Sequence, residues 1–386
     1  MTALELAAVL SAGAYFGFLL LESWRLQRAR AQLAIVVQVN GTRGKTETTR
    51  LLAAALRAGG LRTLAKTTGT EPRLILEDGS ERRWRRWGAA NVREQRNFMF
   101  LAARRKAQAV VVECMAVSPD AQRASTAFLT PDLLIVTNSR PDHQEELGSP
   151  EQALAVFAEG IPAGGTVLTA DPGIHGELGR VAAARGAQAI LAAPCPEPGP
   201  WHPDNAGAAL AAAAQFGVSP ASALAGMRGH TPDPGAFALR RIPATAVTVV
   251  DALAANDTVS TDLLFRRGEA MVPAGAPKVL LIGNRDDRPD RALAYARWAA
   301  AAPERWTSVL WAGAPGPAAQ RTLAAAFPGQ GADGRPRLRR LRDVRELALE
   351  PAGTVIYATG NWRGLGPALA ALAPALAALA PREEQP

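Results

Sequence analysis

A short glycine-containing segment between an apolar strand pattern and a helical pattern constrains the fold of this chain more than any other feature. The apolar run covers residues 34–37, the helical pattern covers 48–56, and the segment between them reads Asn40-Gly41-Thr42-Arg43-Gly44-Lys45-Thr46. Glycines in such a turn let backbone N–H groups crowd around phosphate oxygens, and the following helix directs its positive end at the same anion. The pattern therefore predicts a phosphate-binding loop.

Two side chains of this loop have predicted roles beyond those of its backbone. Lys45 is placed to reach the β and γ phosphates of ATP, and the Thr46 hydroxyl is placed to ligate Mg²⁺. Val39 stands where the commoner nucleotide-binding loop has a glycine, so this loop is of the short G-T-x-G-K-T kind. An ordinary glycine turn is the alternative interpretation. The predicted nucleotide-binding residues of the loop are Gly41, Thr42, Arg43, Gly44, Lys45 and Thr46.

Length and composition favour two folded domains in a reducing compartment. The chain has 386 residues, enough for two domains of about 150 residues each. Its two cysteines, Cys114 and Cys195, are too few for a disulfide framework. The net charge of +8 fits a polyanionic partner such as a nucleotide, an acidic polymer or anionic lipid, and it also fits a solvated arginine-rich surface. Charge alone therefore does not assign a partner.

The N-terminal segment predicts a membrane anchor. Residues 3–21 are nearly all apolar apart from Glu5 and Ser11, and a helix of that length just spans a bilayer core of about 30 Å. Arginines follow the apolar run, behind Trp24, instead of preceding it, which disfavours a secretory signal and places the rest of the chain in the cytoplasm. We expect a single anchor in the cell membrane. A buried or amphipathic helix is the alternative, because Glu5 is costly in lipid away from the surface.

Strand and helix patterns alternate after the loop, which is typical of an open parallel α/β sheet. Apolar runs over 109–112 and 133–137 predict buried strands that end at Glu113 and Asn138. Ligand groups in such sheets lie past the carboxyl ends of the strands. Glu113 closes an apolar stretch and needs a partner if it is buried, and a metal ion would supply one.

Asp142 and His143 follow Asn138 after a short turn. One carboxylate and one imidazole near the phosphates suit a second metal ion or its water shell. A lone histidine is more often structural, and we favour His143 because of its neighbours and its position.

The second half of the chain repeats the α/β pattern after a proline-rich stretch over 231–235, which predicts the domain boundary. Strand patterns lie at 166–169 before this boundary and at 246–250, 278–282, 308–311 and 354–357 after it, with helix patterns over 205–216 and 291–301. We therefore expect an anchor over 1–24, an ATPase domain over 25–234 and a C-terminal α/β domain over 235–386.

One segment combines basic and aromatic residues. Asp78-Gly79 predicts a hairpin turn, and the sequence over 82–87 reads Arg-Arg-Trp-Arg-Arg-Trp. Such an arm suits anionic lipid headgroups or a polyanion, and a merely solvated hairpin is an equally good interpretation. No recognised nucleic-acid-binding module surrounds it, so we expect no nucleic-acid partner.

Several motifs resemble known families. The loop over 41–46, the strand-end Glu113 and the segment 138–143 resemble the ATPase domain of the Mur ligase superfamily, which joins amino acids through acyl phosphates. Motifs along nearly the whole chain resemble the poly-γ-glutamate synthetase family called PgsB or CapB: Lys66-Thr67-Thr68-Gly69-Thr70, Glu113-Cys114-Met115-Ala116-Val117, Pro203-Asp204-Asn205, Pro232-Asp233-Pro234-Gly235-Ala236, Ala254-Ala255-Asn256-Asp257 and Gly360-Asn361.

The resemblance implies a fold and a reaction. The fold is a P-loop, Mur-ligase-like central α/β domain and a Rossmann-like C-terminal α/β domain, preceded by a transmembrane helix. The reaction is ATP-dependent ligation of glutamate to poly-γ-glutamate, a capsule or secreted polymer, through γ-carboxyl groups. Implied partners are the glutamate substrate, the polymer and membrane-embedded subunits of the PgsC/CapC and PgsA/CapA type. A homo-oligomer is a further partner that the resemblance leaves open.

The resemblance also implies roles for individual residues. Lys45 would hold the β and γ phosphates, Thr46 and Glu113 a first magnesium ion, and His143 a second. The remaining residues would lie around the nucleotide or approach it from the C-terminal domain; they are Asn205, Asn256, Asp251 and Arg285. The lysine that many Mur ligases carbamylate to bridge magnesium has no counterpart, because no lysine lies between 106 and 278.

Two other functions remain open from the sequence. One is a ligase of the same superfamily that acts on a small acceptor, as folylpolyglutamate synthases do. The other is an ATPase that drives a conformational cycle in a membrane complex without forming a bond. The stretch over 21–40 is too short for the domain that holds uridine-nucleotide precursors in peptidoglycan ligases, which argues against a peptidoglycan substrate.

Overall fold

A computed structural model of the chain describes residues 2–375 except 70, 87, 89, 141–143, 200, 244, 256 and 332. The chain divides into two compact units, Met1–Pro232 and Asp233–Pro386. The helices of the first unit are α1 Ala3–Arg30, α2 Lys45–Ala58, α3 Arg93–Arg104, α4 Pro119–Leu129, α5 Gln144–Leu147, α6 Pro150–Ala158, α7 Pro172–Ala184, α8 Pro203–Gln215 and α9 Pro220–Arg228. Its strands are β1 Ile35–Asn40, β2 Thr63–Thr67, β3 Arg73–Ile75, β4 Glu81–Arg83, β5 Ala109–Glu113, β6 Leu133–Val136, β7 Thr166–Thr169 and β8 Gln188–Leu191.

The strands described in the first unit form one eight-stranded sheet in the order β4-β3-β2-β5-β1-β6-β7-β8. From β2 to β8 all neighbours are parallel, and β3 and β4 extend the edge as an antiparallel hairpin. Helices cover both faces: Val37 packs with α2, α8 and α9, while Val36 packs with Phe98 and Met99 of α3. Burial on both faces explains why the central strands are apolar throughout.

The position of β1 creates the crevice that the loop occupies. β1 lies between β5 and β6, with Val39 beside Glu113 and Asn40 beside Val136. The chain leaves β1 through α2 toward β2 on one side of the sheet and reaches β6 on the other. Ligands of open α/β sheets bind at such a switch point, past the carboxyl ends of the strands.

Helix α1 is the one helix in the described part of the chain that is long and apolar enough to cross a membrane. Its apolar residues are exposed, and the helix continues past residue 24, where we predicted the anchor to end, to Arg30. Glu22 pairs with Arg96 of α3 at 2.5 Å, Leu26 packs against the α3 side of the core, and Ala29 is buried. The last two turns of α1 therefore belong to the folded first unit.

The second unit is a smaller α/β sheet. Its strands are β9 Ala238–Arg241, β10 Thr248–Asp251, β11 Lys278–Gly283, β12 Ser308–Ala312, β13 Leu338–Arg340 and β14 Val355–Thr359, and its helices are α10 Thr258–Glu269, α11 Pro289–Ala300, α12 Pro317–Ala326 and α13 Trp362–Leu372. The described strands follow the order β13-β12-β11-β14-β10-β9, all parallel except β9. One face buries an aromatic cluster of Phe265, Trp298, Trp306 and Tyr357.

Candidate active site

Two glycines shape the loop between β1 and α2. Gly41 has φ of +112° and Gly44 has φ of +84°, which side-chain-bearing residues rarely adopt. A Cβ on Gly41 would lie 2.3 Å from Thr137 Oγ1, and one on Gly44 would lie 2.4 Å from Asn205 Oδ1. Neighbouring elements thus press against the loop, so that any other residue at these two positions would change its path.

Asn138, two residues past the end of β6, holds the loop from one side. Its side-chain oxygen accepts hydrogen bonds from Thr42 Oγ1 at 2.7 Å and from the Arg43 N–H at 3.1 Å, and its amide donates to the Arg43 carbonyl at 3.1 Å. The Arg140 N–H donates to Thr42 Oγ1 at 2.8 Å. The Thr42 N–H donates to the Asn138 carbonyl at 3.1 Å, and the Gly41 N–H donates to Asn40 Oδ1 at 2.9 Å. These contacts fix the first half of the loop within the protein, and α2 begins directly after it at Lys45.

The Lys45 ammonium lies over the loop. It donates to the Gly41 carbonyl at 2.6 Å and to the Thr42 carbonyl at 3.2 Å. Because Lys45 is the first residue of α2, its charge adds to the positive end of the helix dipole. The combination concentrates positive charge at the turn.

Thr46 and Glu113 meet at the other side of the loop. The Thr46 hydroxyl lies 3.1 Å from each oxygen of the Glu113 carboxylate, and the Thr68 N–H donates to Glu113 Oε2 at 2.6 Å. Glu113 is 3% exposed, and no ion pair to it is recorded within the described residues. Gly69 makes room for this contact, because a Cβ there would lie 2.4 Å from Thr46 Oγ1. A buried carboxylate beside a hydroxyl is a suitable pair of ligands for a hard cation.

Glu47 is a site residue that the sequence analysis missed. Its Oε2 accepts from the Asn205 amide at 2.6 Å and from the His202 N–H at 3.1 Å, which joins the first turn of α2 to the start of α8. Asn205, which we predicted near the nucleotide, thus lies against Gly44 and Glu47. An acidic residue one position after the loop threonine was the available signal.

Cys114, directly after Glu113, is buried. Its Sγ lies 3.2 Å from Gln122 Oε1, which also accepts from the Asn40 amide at 2.8 Å. Burial raises the pKa of the Cys114 thiol, so it stays neutral and acts as a packing residue behind the site.

The predicted site residues of the second unit make contacts within that unit. Asp251 is 1% exposed and accepts from Arg240 Nε at 2.7 Å and from the Leu253 N–H at 3.1 Å. Burial raises the pKa of Asp251, and the charge and hydrogen bond of Arg240 oppose that shift. Arg285 pairs with Asp287 at 2.5 Å.

Three residues of interest lie outside the described part of the chain: Asp142, His143 and Asn256. Over the described residues there is no group of three or more histidine, cysteine or acidic side chains that could hold a metal ion. Thr46 and Glu113 are therefore the predicted metal ligands that the structure brings together.

Two family models match the chain. The Mur ligase middle domain matches residues 39–168, which include the loop, Glu113 and Asn138. The poly-gamma-glutamate synthase CapB C-terminal domain matches residues 238–374, nearly the whole described part of the second unit.

Curated relatives extend the match to most of the chain. The PGA synthase CapB of Bacillus subtilis (strain 168) is 32% identical over 292 residues, covering 72% of this chain and 74% of that protein. The chain belongs to the CapB family. The capsule biosynthesis protein CapB of Bacillus anthracis is 30% identical over 285 residues, 70% of this chain and 61% of that CapB, so the chain spans about three fifths of its length. The resemblance to the CapB family is thereby confirmed.

Solved structures of low identity share the fold. The FolC of E. coli in complex with ADP has a TM-score of 0.66 at 16% identity and covers 90% of this chain and 92% of its own. A bifunctional folylpolyglutamate synthase/dihydrofolate synthase from Yersinia pestis, complexed with AMPPNP and Mn ion, has a TM-score of 0.63 at 18% identity and covers 90% of this chain and 92% of its own. MurF from Acinetobacter baumannii has a TM-score of 0.62 at 17% identity and covers 91% of this chain and 79% of its own. The predicted Mur-ligase-like α/β fold is confirmed.

Proposed function

We propose that this CapB-family chain is an ATP-dependent amide ligase that activates a glutamate γ-carboxyl as an acyl phosphate and joins it to the amine of glutamate, making poly-γ-glutamate. The observation that carries the proposal is the contact of Thr46 with both Glu113 oxygens at 3.1 Å, beside a loop shaped by Gly41 and Gly44. The names of the two Bacillus relatives support the product.

The need for a nucleotide follows from the chemistry of the carboxylate. A carboxylate is a poor electrophile, and transfer of a phosphoryl group makes an acyl phosphate whose phosphate can leave when an amine attacks. Phosphoryl transfer requires positioning and neutralisation of charge more than covalent help from the protein. The Lys45 ammonium and the positive end of α2, which begins at Lys45, would supply that neutralisation.

A divalent cation, which we take to be Mg²⁺, fits the donors present. Glu113 is a buried carboxylate whose recorded donors, the Thr46 hydroxyl and the Thr68 N–H, are neutral. Burying such a charge is unfavourable unless a counter-charge lies near. The Lys66 ammonium interacts with the Glu113 charge, but it forms its ion pair with Glu94 at 3.0 Å. Thr46 and Glu113 would hold the ion, which when bound neutralises phosphate charge; the Yersinia relative in fold was solved with Mn and AMPPNP.

Several further assignments belong to the proposal. His143 would serve a second ion and act in catalysis, Asn205 would border the nucleotide by way of Gly44, and Asn256, Asp251 and Arg285 would contribute from the C-terminal part. Arg240 occupies Asp251 at 2.7 Å, so Asp251 acts by way of that pair. We assign the unit up to Pro232 as the ATPase domain and the unit from Asp233 as the C-terminal domain.

We also propose a location and partners. Helix α1 anchors the chain in the cell membrane with both units in the cytoplasm, where ATP is present. Membrane-embedded subunits of the PgsC/CapC and PgsA/CapA type would receive and export the polymer. The helix length and composition support the anchor.

The experiment follows ATP turnover by the full chain in native membranes. The proposal predicts that ADP and phosphate are released only when glutamate or its polymer is supplied, and that hydroxylamine traps a γ-hydroxamate. Turnover without glutamate would favour the ATPase that forms no bond. A hydroxamate formed on a folate-type acceptor, and none on glutamate polymer, would favour the folylpolyglutamate-synthase-like alternative.

A further inference from the structure

The arm formed by residues 82–86 carries three arginines that the active site does not use. Arg82, Arg83 and Arg85 are exposed, and no hydrogen bond or ion pair of their side chains is recorded with any described residue. Some exposed arginines elsewhere in the unit are paired, as Arg105 is with Glu77 and Arg123 is with Glu159. Charged residues also protect an edge strand such as β4 from pairing, but Arg85 lies beyond the strand.

The arm is held firmly to the body of the first unit. Trp84 packs edge-on against Phe98 of α3 with ring centroids 6.3 Å apart, and the Lys66 ammonium lies 5.3 Å from its ring. Arg86 pairs with Glu94 at 2.7 Å, and Glu94 pairs with Lys66 at 3.0 Å. The three free arginines are therefore presented by a fixed support.

The arm lies at the carboxyl edge of the sheet. Arg83 is beside Arg73, which is beside Thr67, the last residue of β2. The segment after Arg83 continues past that edge to Arg86 and Glu94. The active-site residue Glu113 ends β5 at the same edge.

Helix α1 leaves the unit at this edge too. At its C-terminal end, Arg30 donates to the Thr130 carbonyl at 2.9 Å and to Asp132 at 2.6 Å, and Asp132 precedes β6 at the amino edge of the sheet. Eight residues earlier, Glu22 pairs with Arg96, next to Gln95, whose amide donates to the Glu113 carbonyl at 3.1 Å. The helix thus runs from the carboxyl edge to the amino edge, and its exposed apolar residues extend beyond the carboxyl edge.

We propose that Arg82, Arg83 and Arg85 bind the headgroups of anionic phospholipids and hold the nucleotide-binding edge of the sheet toward the membrane. Leu26 of α1 and Trp84 of the arm pack on the same apolar cluster, so the arm lies beside the point where the anchor enters the unit. Trp24, Arg25 and Arg28 lie on α1 at this exit and are exposed, and the Arg28 guanidinium lies 5.4 Å from the Trp24 ring centroid. Basic residues beside a membrane anchor are attracted to the negative surface of the cytoplasmic leaflet.

This orientation rests on the proposed membrane anchor and is independent of the bond that the enzyme makes. A consequence is that a polymer made at the carboxyl edge is released next to the bilayer. An acidic polymer is the competing occupant of the arm, and the position of the arm beside the anchor favours lipid.

The test measures energy transfer from a fluorophore on Ala90→Cys to headgroup-labelled lipid, with the full chain in nanodiscs. Ala90 is exposed between the arm and α3, while both native cysteines are buried and thus protected from the label. We expect higher transfer in discs that contain phosphatidylglycerol than in discs of phosphatidylcholine alone. Each arginine near an anionic surface is worth about a fivefold change in docked population, so R82Q/R83Q/R85Q should lose the gain, as should high salt.

A matched control removes three positive charges at the amino edge of the same sheet. Arg62, Arg104 and Lys106 are exposed there, and R62Q/R104Q/K106Q should keep the full gain. Equal transfer in both kinds of disc, or equal loss in both triple variants, would overturn the proposal. So would an arginine-dependent change produced by poly-γ-glutamate in neutral discs without any effect of anionic lipid.

Two parallel readouts separate this proposal from the others. Incorporation of the chain into neutral discs tests the anchor alone, because it does not require the arginines. Glutamate-dependent ADP release tests the ligase proposal alone. If ADP release did not depend on glutamate in a chain that still showed the lipid effect, the ligase proposal would be wrong and the proposed orientation at the membrane would stand.

Discussion

The Lys45 ammonium donates to the loop carbonyls of Gly41 and Thr42, and under our proposal it would contact phosphate oxygens when a nucleotide binds. Replacing it by alanine removes the one lysine of the loop while the backbone stays. We expect Lys45→Ala to lower glutamate-dependent ADP release by ~10²-fold or more, the cost of losing one strong charge-stabilising group. Lys106→Ala, at an exposed position, is the control. Normal turnover by Lys45→Ala would remove this lysine from the mechanism.

Glu113 combines burial with a direct contact to the loop threonine, which gives a second prediction. Glu113→Gln keeps the shape and can still accept from the Thr68 N–H, but it loses the charge that attracts a cation. We expect the magnesium concentration that gives half-maximal turnover to rise, with less effect at saturating magnesium. An unchanged magnesium titration would exclude Glu113 as a ligand. Asp120→Asn, which removes a negative charge at an exposed position, is the control.

A comparison of Gly41 with Gly60 distinguishes the effect of a positive φ from the effect of crowding by a neighbouring side chain. Gly41 and Gly60 both have positive φ, at +112° and +85°, but a Cβ on Gly60 would meet nothing within 4 Å. Gly60→Ala should therefore lower stability by about 1 kcal/mol and leave nucleotide affinity intact. Gly41→Ala adds the collision with Thr137 and should weaken binding of a nucleotide analogue at least about tenfold, measured by calorimetry. If Gly41→Ala bound the nucleotide analogue as tightly as the wild type, the loop would tolerate another backbone path.

At the scale of elements, the charge inside β2 is the least expected feature. Lys66 is fully buried, and burial lowers its pKa although Glu94 opposes the shift. Glu94 has a second partner in Arg86, so it keeps a cation when Lys66 is removed. Removing Glu94 instead leaves a buried ammonium without its ion pair, which is strongly unfavourable.

We therefore predict an asymmetry between two substitutions. Glu94→Gln should destabilise the first unit by about 3 kcal/mol, while Lys66→Met should change its stability far less. Because the pKa of Lys66 is lowered in the folded chain, the unfolded chain binds more protons than the folded chain just below pH 10.5. The contribution of Lys66 to the free energy of unfolding therefore becomes more favourable to the folded chain as pH increases through that window. In thermal unfolding, the unfolding temperature of the wild type should rise relative to that of Lys66→Met as pH increases. A difference in unfolding temperature between the two proteins that stays constant across pH would contradict a lowered pKa for Lys66.

The elements differ in how well the sequence predicted them. The strands at 109–113 and 278–283 were evident because buried parallel strands are continuously apolar, and the hairpin at Asp78-Gly79 is confirmed. Three strands at or near sheet edges, Gln188–Leu191, Ala238–Arg241 and Leu338–Arg340, carry polar residues and gave no such pattern. β2 was missed because Lys66 interrupts it, and the ion pair with Glu94 and the contact with the Trp84 ring help to offset the cost of burying this charge.

At the scale of the whole molecule, nucleotide binding should stabilise the folded chain. A ligand that binds only the folded state adds about 2.7 kcal/mol at a concentration one hundred times its Kd. Magnesium with AMPPNP should thus raise the unfolding temperature of the wild type and leave that of Lys45→Ala nearly unchanged. Calorimetric scans of the full chain in detergent test this. An equal rise in both proteins would place nucleotide binding elsewhere.

The sequence by itself determined the loop and the class of ligand that it suits, because glycines at 41 and 44, a lysine and a threonine between strand and helix form a local pattern that needs no distant partner. Only the tertiary structure decided what surrounds it. Glu113, Asn138 and Asn205 reach the loop from three separate elements, and Glu47 was not recognised at all. The reason is the strand order: β1 lies between β5 and β6 because that arrangement buries apolar residues on both faces, and local sequence does not encode which strands become neighbours.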